Sequence, residues 1–208
     1  MNGFKSYLLF TGKSPFLTTV IMAAISAALI IAAGIIKATL PEISDLWDFV
    51  RMVGHIIWIA DVMLFLRGVF SANQKSAPGY RFFHALPNAS ANFKRALITA
   101  DISLLIGTAI FAGADFLILG DFNPLFTGLS LFALGWINLF GNYGAFWINA
   151  IPFFLIGFSG GFLNATMDND DDIPEVAVLV LCAVFTMLCV VGTAYVVINS
   201  RRLWEKEK

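Results

Sequence analysis

The sequence has few charged residues. Only 13% of its 208 residues are charged, whereas 59% are hydrophobic, and the mean hydropathy is +0.81. A soluble domain of this length cannot bury that much apolar surface, so the composition excludes a soluble globular protein. The 13 basic and 14 acidic residues give a net charge of -1 and stand mostly outside the apolar runs. We therefore expect a membrane protein that does not bind nucleic acid.

Cysteine is also scarce. Cys182 and Cys189 lie in one late apolar stretch, seven residues apart. On a helix that spacing separates them by about 10 Å along the axis, which is too far for a disulfide. We expect both thiols to be packing residues.

Long apolar runs dominate the rest of the chain. Six of them are each close to the roughly 20 residues that a helix needs to cross the hydrocarbon core of a bilayer. They cover about residues 16-38, 50-72, 95-119, 124-140, 143-163 and 174-197. Gly141 and Asn142 separate the fourth run from the fifth, and Pro174 suits the first turn of the sixth. The predicted fold is an all-α integral membrane protein with a single domain, residues 1-208.

The charges between the runs predict an orientation. Basic residues precede the first run, lie between the second and third, and follow the sixth: Lys5, Lys13, Lys75, Arg81, Lys94, Arg95, Arg201, Arg202, Lys206 and Lys208. The other connections are acidic, with only Lys37 and Arg51 as basic residues. Because cytoplasmic loops are enriched in Lys and Arg, we expect a multi-pass cell-membrane protein with both termini in the cytoplasm. The mixed apolar and basic segment 1-14 predicts a short amphipathic helix in the cytoplasmic interface.

The longest cytoplasmic connection, residues 73-95, has its own structural signals. A Pro-Gly pair opens it, Phe82, Phe83 and Leu86 follow at helical spacing, and a Leu-Pro break comes before Asn88 and Ser90, either of which can cap a second helix. A short helix of this kind suits docking into a groove on a soluble partner. It equally suits resting on lipid headgroups, and the residues alone leave both readings open.

The segment Tyr-Arg-Phe-Phe-His-Ala-Leu-Pro-Asn-Ala-Ser, residues 80-90, leads straight into the third run. Together with six spans and cytoplasmic termini, it resembles the small membrane subunits of ABC-2 type transporters, and the resemblance covers essentially the whole chain. In that family this stretch contains the coupling helix that touches the ATPase subunit. The resemblance implies an ATPase contact at these positions: Arg81, Phe82, Phe83, His84, Leu86, Pro87 and Asn88.

The resemblance also implies that the chain does no chemistry itself. It would have no catalytic residue, cofactor or metal site, and ATP and Mg²⁺ would bind to a separate ATPase, present in two copies beside a second permease copy or homologue. Gly12-Lys13-Ser14 looks like the end of a phosphate-binding loop, but Tyr7 stands where that motif needs its first glycine. Family habit predicts export of a peptide, an antibiotic or another small amphipathic substrate.

Among the charged residues within the predicted spans, we single out Asp61 and Arg67 in the second and Asp101 in the third. We expect Arg67 and Asp101 to pair across neighbouring helices, because an ionisable group in lipid seeks a partner. Asp61 has no obvious partner in its own helix and is the stronger candidate for a polar pathway. His55, nearer the outer end of the second span, is expected to be an interfacial or helix-bonded histidine.

Two other functions remain open at this point. Asp61 and Asp101 suit an ion-coupled carrier that works without ATP. Gly157-Phe158-Ser159-Gly160 resembles the motif around the nucleophile of rhomboid serine proteases, but the predicted sixth span has no histidine to act as the base. We therefore expect Ser159 to be a packing residue.

Overall fold

The computed structural model describes residues 2-75, 80-120, 123-143, 150-152, 154-155 and 175-205. All of its regular elements in that part of the chain are helical. They are α1 (Gly3–Thr11), α2 (Lys13–Thr39), α3 (Ser44–Ser71), α4 (Tyr80–Ala85), α5 (Ala89–Leu119), α6 (Pro124–Phe140), a 3₁₀ turn (Gly141–Tyr143) and α7 (Glu175–Glu205). Residues 150-152 and 154-155 are helical as well.

Five helices, α2, α3, α5, α6 and α7, are long and apolar enough to cross a membrane. This confirms a multi-pass, all-helical protein. The predicted fourth span matches α6 at both ends. The predicted fifth span, 143-163, falls largely outside the described residues. The described helices therefore do not test the predicted total of six crossings.

Three helices extend beyond the apolar runs that predicted them. Helix α3 starts at Ser44 rather than Val50, α5 starts at Ala89 rather than Arg95, and α7 continues to Glu205 rather than Val197. Each extension carries charged or polar residues on helical turns that leave the hydrocarbon. Hydropathy marks only the part of a helix that lies within lipid, so these ends were predicted too short.

Local residues explain where several helices begin and end. Gly12 has φ 79° and separates α1 from α2, while Gly120, with φ 69°, ends α5. Both conformations suit glycine because it has no Cβ. Helix α6 begins at Pro124, directly after Asn123, whose side-chain oxygen accepts a hydrogen bond from the Phe126 amide at 3.3 Å.

The helices have two common ends. Helix α2 starts at the end that holds α4, and α3 runs back toward that end. Helices α2 and α3 pack closely where the Ser26 hydroxyl donates to the Gly54 carbonyl at 2.7 Å. Near the start of α6, the Cys182 thiol lies 3.2 Å from the Pro124 carbonyl oxygen. Helices α6 and α7 therefore run side by side in the same direction. We call the end of the bundle that holds α4 the α4 end.

A belt of apolar side chains faces outward from the long helices. Leu117 is 82% exposed and Ile198 is 77% exposed, and similar residues line α2, α5 and α7. The core holds Val62, Leu66 and Phe70 of α3 against Phe93 and Leu97 of α5. Apolar surface both inside and outside the bundle is the pattern expected of a protein in lipid.

Helix α1 confirms the predicted N-terminal helix, and one of its faces packs against the bundle. Tyr7 is 1% exposed and Phe10 is 5% exposed, because both pack into the α4 end of the bundle. The Tyr7 hydroxyl donates to the Phe65 carbonyl at 3.3 Å, and burial raises the pKa of Tyr7 above its ordinary value. Ring centroids of Phe10 and Trp204 lie 5.7 Å apart, so the N-terminal helix and the C-terminal end of α7 meet at the same end.

Candidate functional site

The short helix α4 is held to the bundle by its inner face. Phe83 lies with its ring centroid 5.5 Å from that of Phe10, and Leu86 packs beside the same core. Both side chains are half-buried. Two of the residues predicted to contact an ATPase are thus anchors that fix α4 against its own chain.

His84 is a third anchor. Its ring stacks on Trp204 at a centroid distance of 4.0 Å and an interplanar angle of 9°. Its Nε2 lies 3.1 Å from Oδ1 of Asn73, a buried residue just after α3. The stack joins the connection between α3 and α5 to the last turn of α7. The contact with Asn73 lies within that connection.

Asn73 connects three parts of the α4 end. Its amide donates to the Leu203 carbonyl at 2.9 Å and to Oδ1 of Asn142 at 3.1 Å, while its oxygen meets His84. One fully buried side chain therefore links α4, the 3₁₀ turn after α6, and α7. Asn73 and Trp204 were missed as site residues; a polar residue directly after an apolar span was the only sequence signal for Asn73.

The remaining predicted contact residues lie on the outer side. Arg81, Phe82, Pro87 and Asn88 are exposed, and Phe82 is 59% exposed despite being aromatic. Asn88 has φ 57°, a left-handed conformation that ends the loop before α5. The seven predicted residues thus split into an inward set of three and an outward set of four. We call the outward four the α4 outer face.

The expected pairing of Arg67 with Asp101 is wrong. Arg67 is exposed on α3. Asp101 is 2% exposed, and its Oδ1 accepts a hydrogen bond from Nδ2 of Asn138 at 2.9 Å. The partner of Asp101 is therefore an amide on a third helix, α6, and not the predicted guanidinium of Arg67.

Asp61 lies where a polar pathway residue was predicted. It is 3% exposed in the middle of α3, and its Oδ1 has no hydrogen-bond partner among the described residues. The sequence therefore located two buried carboxylates correctly and misjudged the neighbours of one.

A buried charge cluster lies toward the other end of the bundle. Nη2 of Arg51 lies 2.6 Å from Oδ2 of Asp115, and Nε2 of His55 lies 3.2 Å from the same oxygen. The side chains of Arg51, His55 and Asp115 are 4%, 7% and 2% exposed. Arg51 was counted with the acidic connections and His55 was expected to be interfacial or helix-bonded; the structure instead pairs both with Asp115 inside the bundle. Their four-residue spacing puts Arg51 and His55 on one face of α3, which was a usable signal for a shared partner.

The protease alternative depends on where the two histidines lie. His55 is bound to Asp115 and His84 to Trp204 and Asn73. Ser159 and its neighbours lie outside the described residues. In the part of the chain that the structure describes, no group of three or more His, Cys, Asp and Glu side chains suits a metal ion.

No family model matches the chain, and searches of curated proteins and of solved structures find no match.

Proposed function

We propose that this chain is the membrane-spanning subunit of an ATP-driven transporter, with the α4 outer face as the contact for a separate ATPase subunit. The observation that carries the proposal is the division of α4. Its inner side is bound to the bundle through Phe83, His84 and Leu86, while Arg81 and Phe82 project outward. An exposed aromatic ring beside a guanidinium is typical of a protein interface.

The anchoring of α4 gives this contact a mechanical use. A displacement of α4 acts on α7 through the His84–Trp204 stack and through Asn73, which is bonded to the Leu203 carbonyl. It acts on α3 through the short connection at Asn73. Closure of an ATPase dimer against α4 would thereby tilt two membrane helices, which is a step toward alternating access.

The bundle geometry supports the rest of the assembly. Both described ends of the chain meet at the α4 end, and the basic connections there favour a cytoplasmic location for that end. Helices α6 and α7 run in the same direction, which favours one further crossing between them and six in all. ATP and Mg²⁺ would bind to two ATPase copies beside a second permease copy or homologue, in a lipid membrane. The cargo would be an exported peptide, antibiotic or other small amphipathic molecule.

The test is capture of an ATPase by the tagged chain in mild detergent. Phe82→Asp puts a charge on the α4 outer face. Phe49→Asp is a matched control, because Phe49 is 57% exposed at the opposite end of α3 whereas Phe82 is 59% exposed on α4. The native chain and Phe49→Asp should bring down a protein with a phosphate-binding loop and ATPase activity, and Phe82→Asp should not. Capture of no ATPase by the native chain, or equal capture by Phe82→Asp, would contradict the proposal.

An ion-coupled carrier is the second candidate. It is favoured by two carboxylates, Asp61 and Asp101, that are at least 97% buried and pair with no cationic side chain among the described residues. Such groups in a membrane interior commonly take part in ion or proton movement. Transport by reconstituted native chain without ATP, lost in Asp61→Asn and Asp101→Asn, would favour this function over the first.

A further inference from the structure

Three polar side chains meet between α5, α6 and α7. Nδ2 of Asn138 on α6 donates to Oδ1 of Asp101 on α5 at 2.9 Å and lies 3.5 Å from the Thr193 hydroxyl on α7. Asp101 is 2% exposed and Asn138 is 1% exposed. All three helices are membrane-spanning, so bulk water is not available to solvate these groups.

Two oxygens of this cluster have no donor. Oδ2 of Asp101 and Oδ1 of Asn138 are both fully buried and without a hydrogen-bond partner among the described residues. A buried acceptor without a partner carries a large desolvation cost, and a buried carboxylate carries a larger one. The arrangement supplies oxygen atoms and negative charge and lacks positive charge.

A groove on the bundle surface adjoins the cluster at Thr193. An open apolar groove of about 510 Å³ runs between these helices, and Thr193 and Cys189 line it beside Leu105 and Leu131. Its described walls carry no charged side chain.

We propose that Asp101, Asn138 and Thr193 bind a small monovalent cation, either a sodium ion or a proton. A sodium ion would take its ligands from the carboxylate, the amide oxygen and the hydroxyl, which are the hard oxygen donors that such ions prefer. A proton would neutralise Asp101 and turn it from an acceptor into a donor. Both ligands supply the positive charge that the cluster lacks.

The other ionisable groups near this half of the bundle decide which control variant the experiment needs. Helix α6 has none, and α2 carries its lysines only near its ends. The remaining candidates are Lys5 and Tyr7 on α1, Asp61 and Arg67 on α3, Lys94 and Arg95 on α5, and Cys189 and Tyr195 on α7. Asp61→Asn is the matched control, since it removes a second buried carboxylate from a different site.

The experiment measures thermal unfolding of the purified native chain in sodium chloride and in choline chloride at equal ionic strength. If sodium is the ligand, saturating sodium should raise the melting temperature of the native chain and of Asp61→Asn by about 5 °C or more. Asp101→Asn should show no such rise, because its amide can donate to the Asn138 oxygen without an ion. Thr193→Val should need more sodium for the same effect.

Infrared spectroscopy tests whether the ligand is a proton. A proton on Asp101 gives a carboxylic acid C=O band at neutral pH, present in the native chain and in Asp61→Asn and absent from Asp101→Asn, with no effect of sodium on unfolding. Should Asp101→Asn fail to fold, Asn138→Leu serves instead, because loss of the amide moves the acid band. The proposal is overturned if neither sodium stabilisation nor an acid band depends on these residues.

This inference deepens the second candidate function and rests on it for a transport role. Its test measures ion binding and unfolding rather than transport. It can therefore fail while ATPase capture succeeds, and it can succeed while no transport without ATP is found.

Discussion

At the scale of single residues, the Arg51–His55–Asp115 cluster places charge where lipid surrounds the bundle. Removing one partner of a buried pair leaves the other charge buried and uncompensated, which costs far more than the pair contributes. An exposed pair behaves differently because water solvates each partner. Among the described residues, Arg51–Asp115 is a buried pair and Arg201–Glu205 is an exposed pair.

We expect Asp115→Ala to lower the free energy of unfolding by about 3 kcal/mol. The exposed pair Arg201–Glu205, with side chains 82% and 47% exposed, is the control, and Glu205→Ala should change stability by less than about 1 kcal/mol. Denaturant unfolding in detergent, followed by circular dichroism, measures both. Equal effects of the two substitutions would show that the Asp115 cluster is not buried in the folded protein.

The sequence predicted the buried carboxylates but not their partners, and the reason is physical. Asp61 and Asp101 stand out because any acid within an apolar run is conspicuous. The partner of Asp101 is Asn138, a neutral amide on a helix 37 residues later in the chain. Many neutral polar side chains lie in these runs, and only the packing of helices decides which one reaches a given carboxylate.

At the scale of helices, the closest approach in the bundle is between α6 and α7. A Cβ added to Gly135 would lie 2.6 Å from the Leu188 carbonyl oxygen and 2.7 Å from Cα of Cys189. One added to Gly192 would lie 2.5 Å from the Gly135 carbonyl oxygen. Small residues let membrane helices pack backbone to backbone, where dispersion forces replace the hydrophobic effect.

Gly135→Ala should therefore separate α6 from α7 and lower the melting temperature by several degrees, since backbone cannot yield as a side chain can. Gly113→Ala on α5 is the matched control, because nothing lies within 4 Å of its added Cβ. That substitution should be neutral or slightly stabilising through its helix propensity. Equal melting temperatures of Gly135→Ala and Gly113→Ala in a thermal scan would contradict this packing.

Asn73 governs the attachment of α4 to the bundle. We expect Asn73→Leu to remove the Asn73 contacts with the Leu203 carbonyl and the His84 ring, destabilising the fold by about 1–3 kcal/mol. It should also loosen α4, so trypsin should cut at Arg81 faster than in the native chain. Asn199→Leu is the control, because the Asn199 amide bonds only within its own helix, to Tyr195, in the described contacts. Equal trypsin cleavage in both variants would mean that Asn73 does not hold α4.

At the scale of helix ends, sequence reasoning succeeded where local chemistry marks the end. Asn123 and Pro124 define the start of α6, and its predicted and observed bounds agree. Trp204 shows where sequence reasoning about helix ends fails. Its place in the cluster with Phe10, His84 and Phe93 depends on α7 continuing past the predicted end of its span at residue 197.

At the scale of the whole molecule, orientation is the first expectation to test. Single cysteines in place of Asp45 and Phe82, in a chain without Cys182 and Cys189, lie at exposed positions at opposite ends of the bundle. If the basic α4 end faces the cytoplasm as proposed, a membrane-impermeant thiol reagent applied to intact cells should label the cysteine at position 45 and not the one at 82. The reverse labelling would invert the proposed topology.

The central claim is that the α4 outer face meets an ATPase, and site-specific cross-linking tests it most directly. A photoactivatable probe on a single cysteine at position 82 should cross-link, in cells, to a chain with a phosphate-binding loop. The same probe at Ile110, which is 64% exposed on the apolar flank of α5, should not. Cross-linking of position 82 only to lipid, or to the same proteins as position 110, would contradict the account.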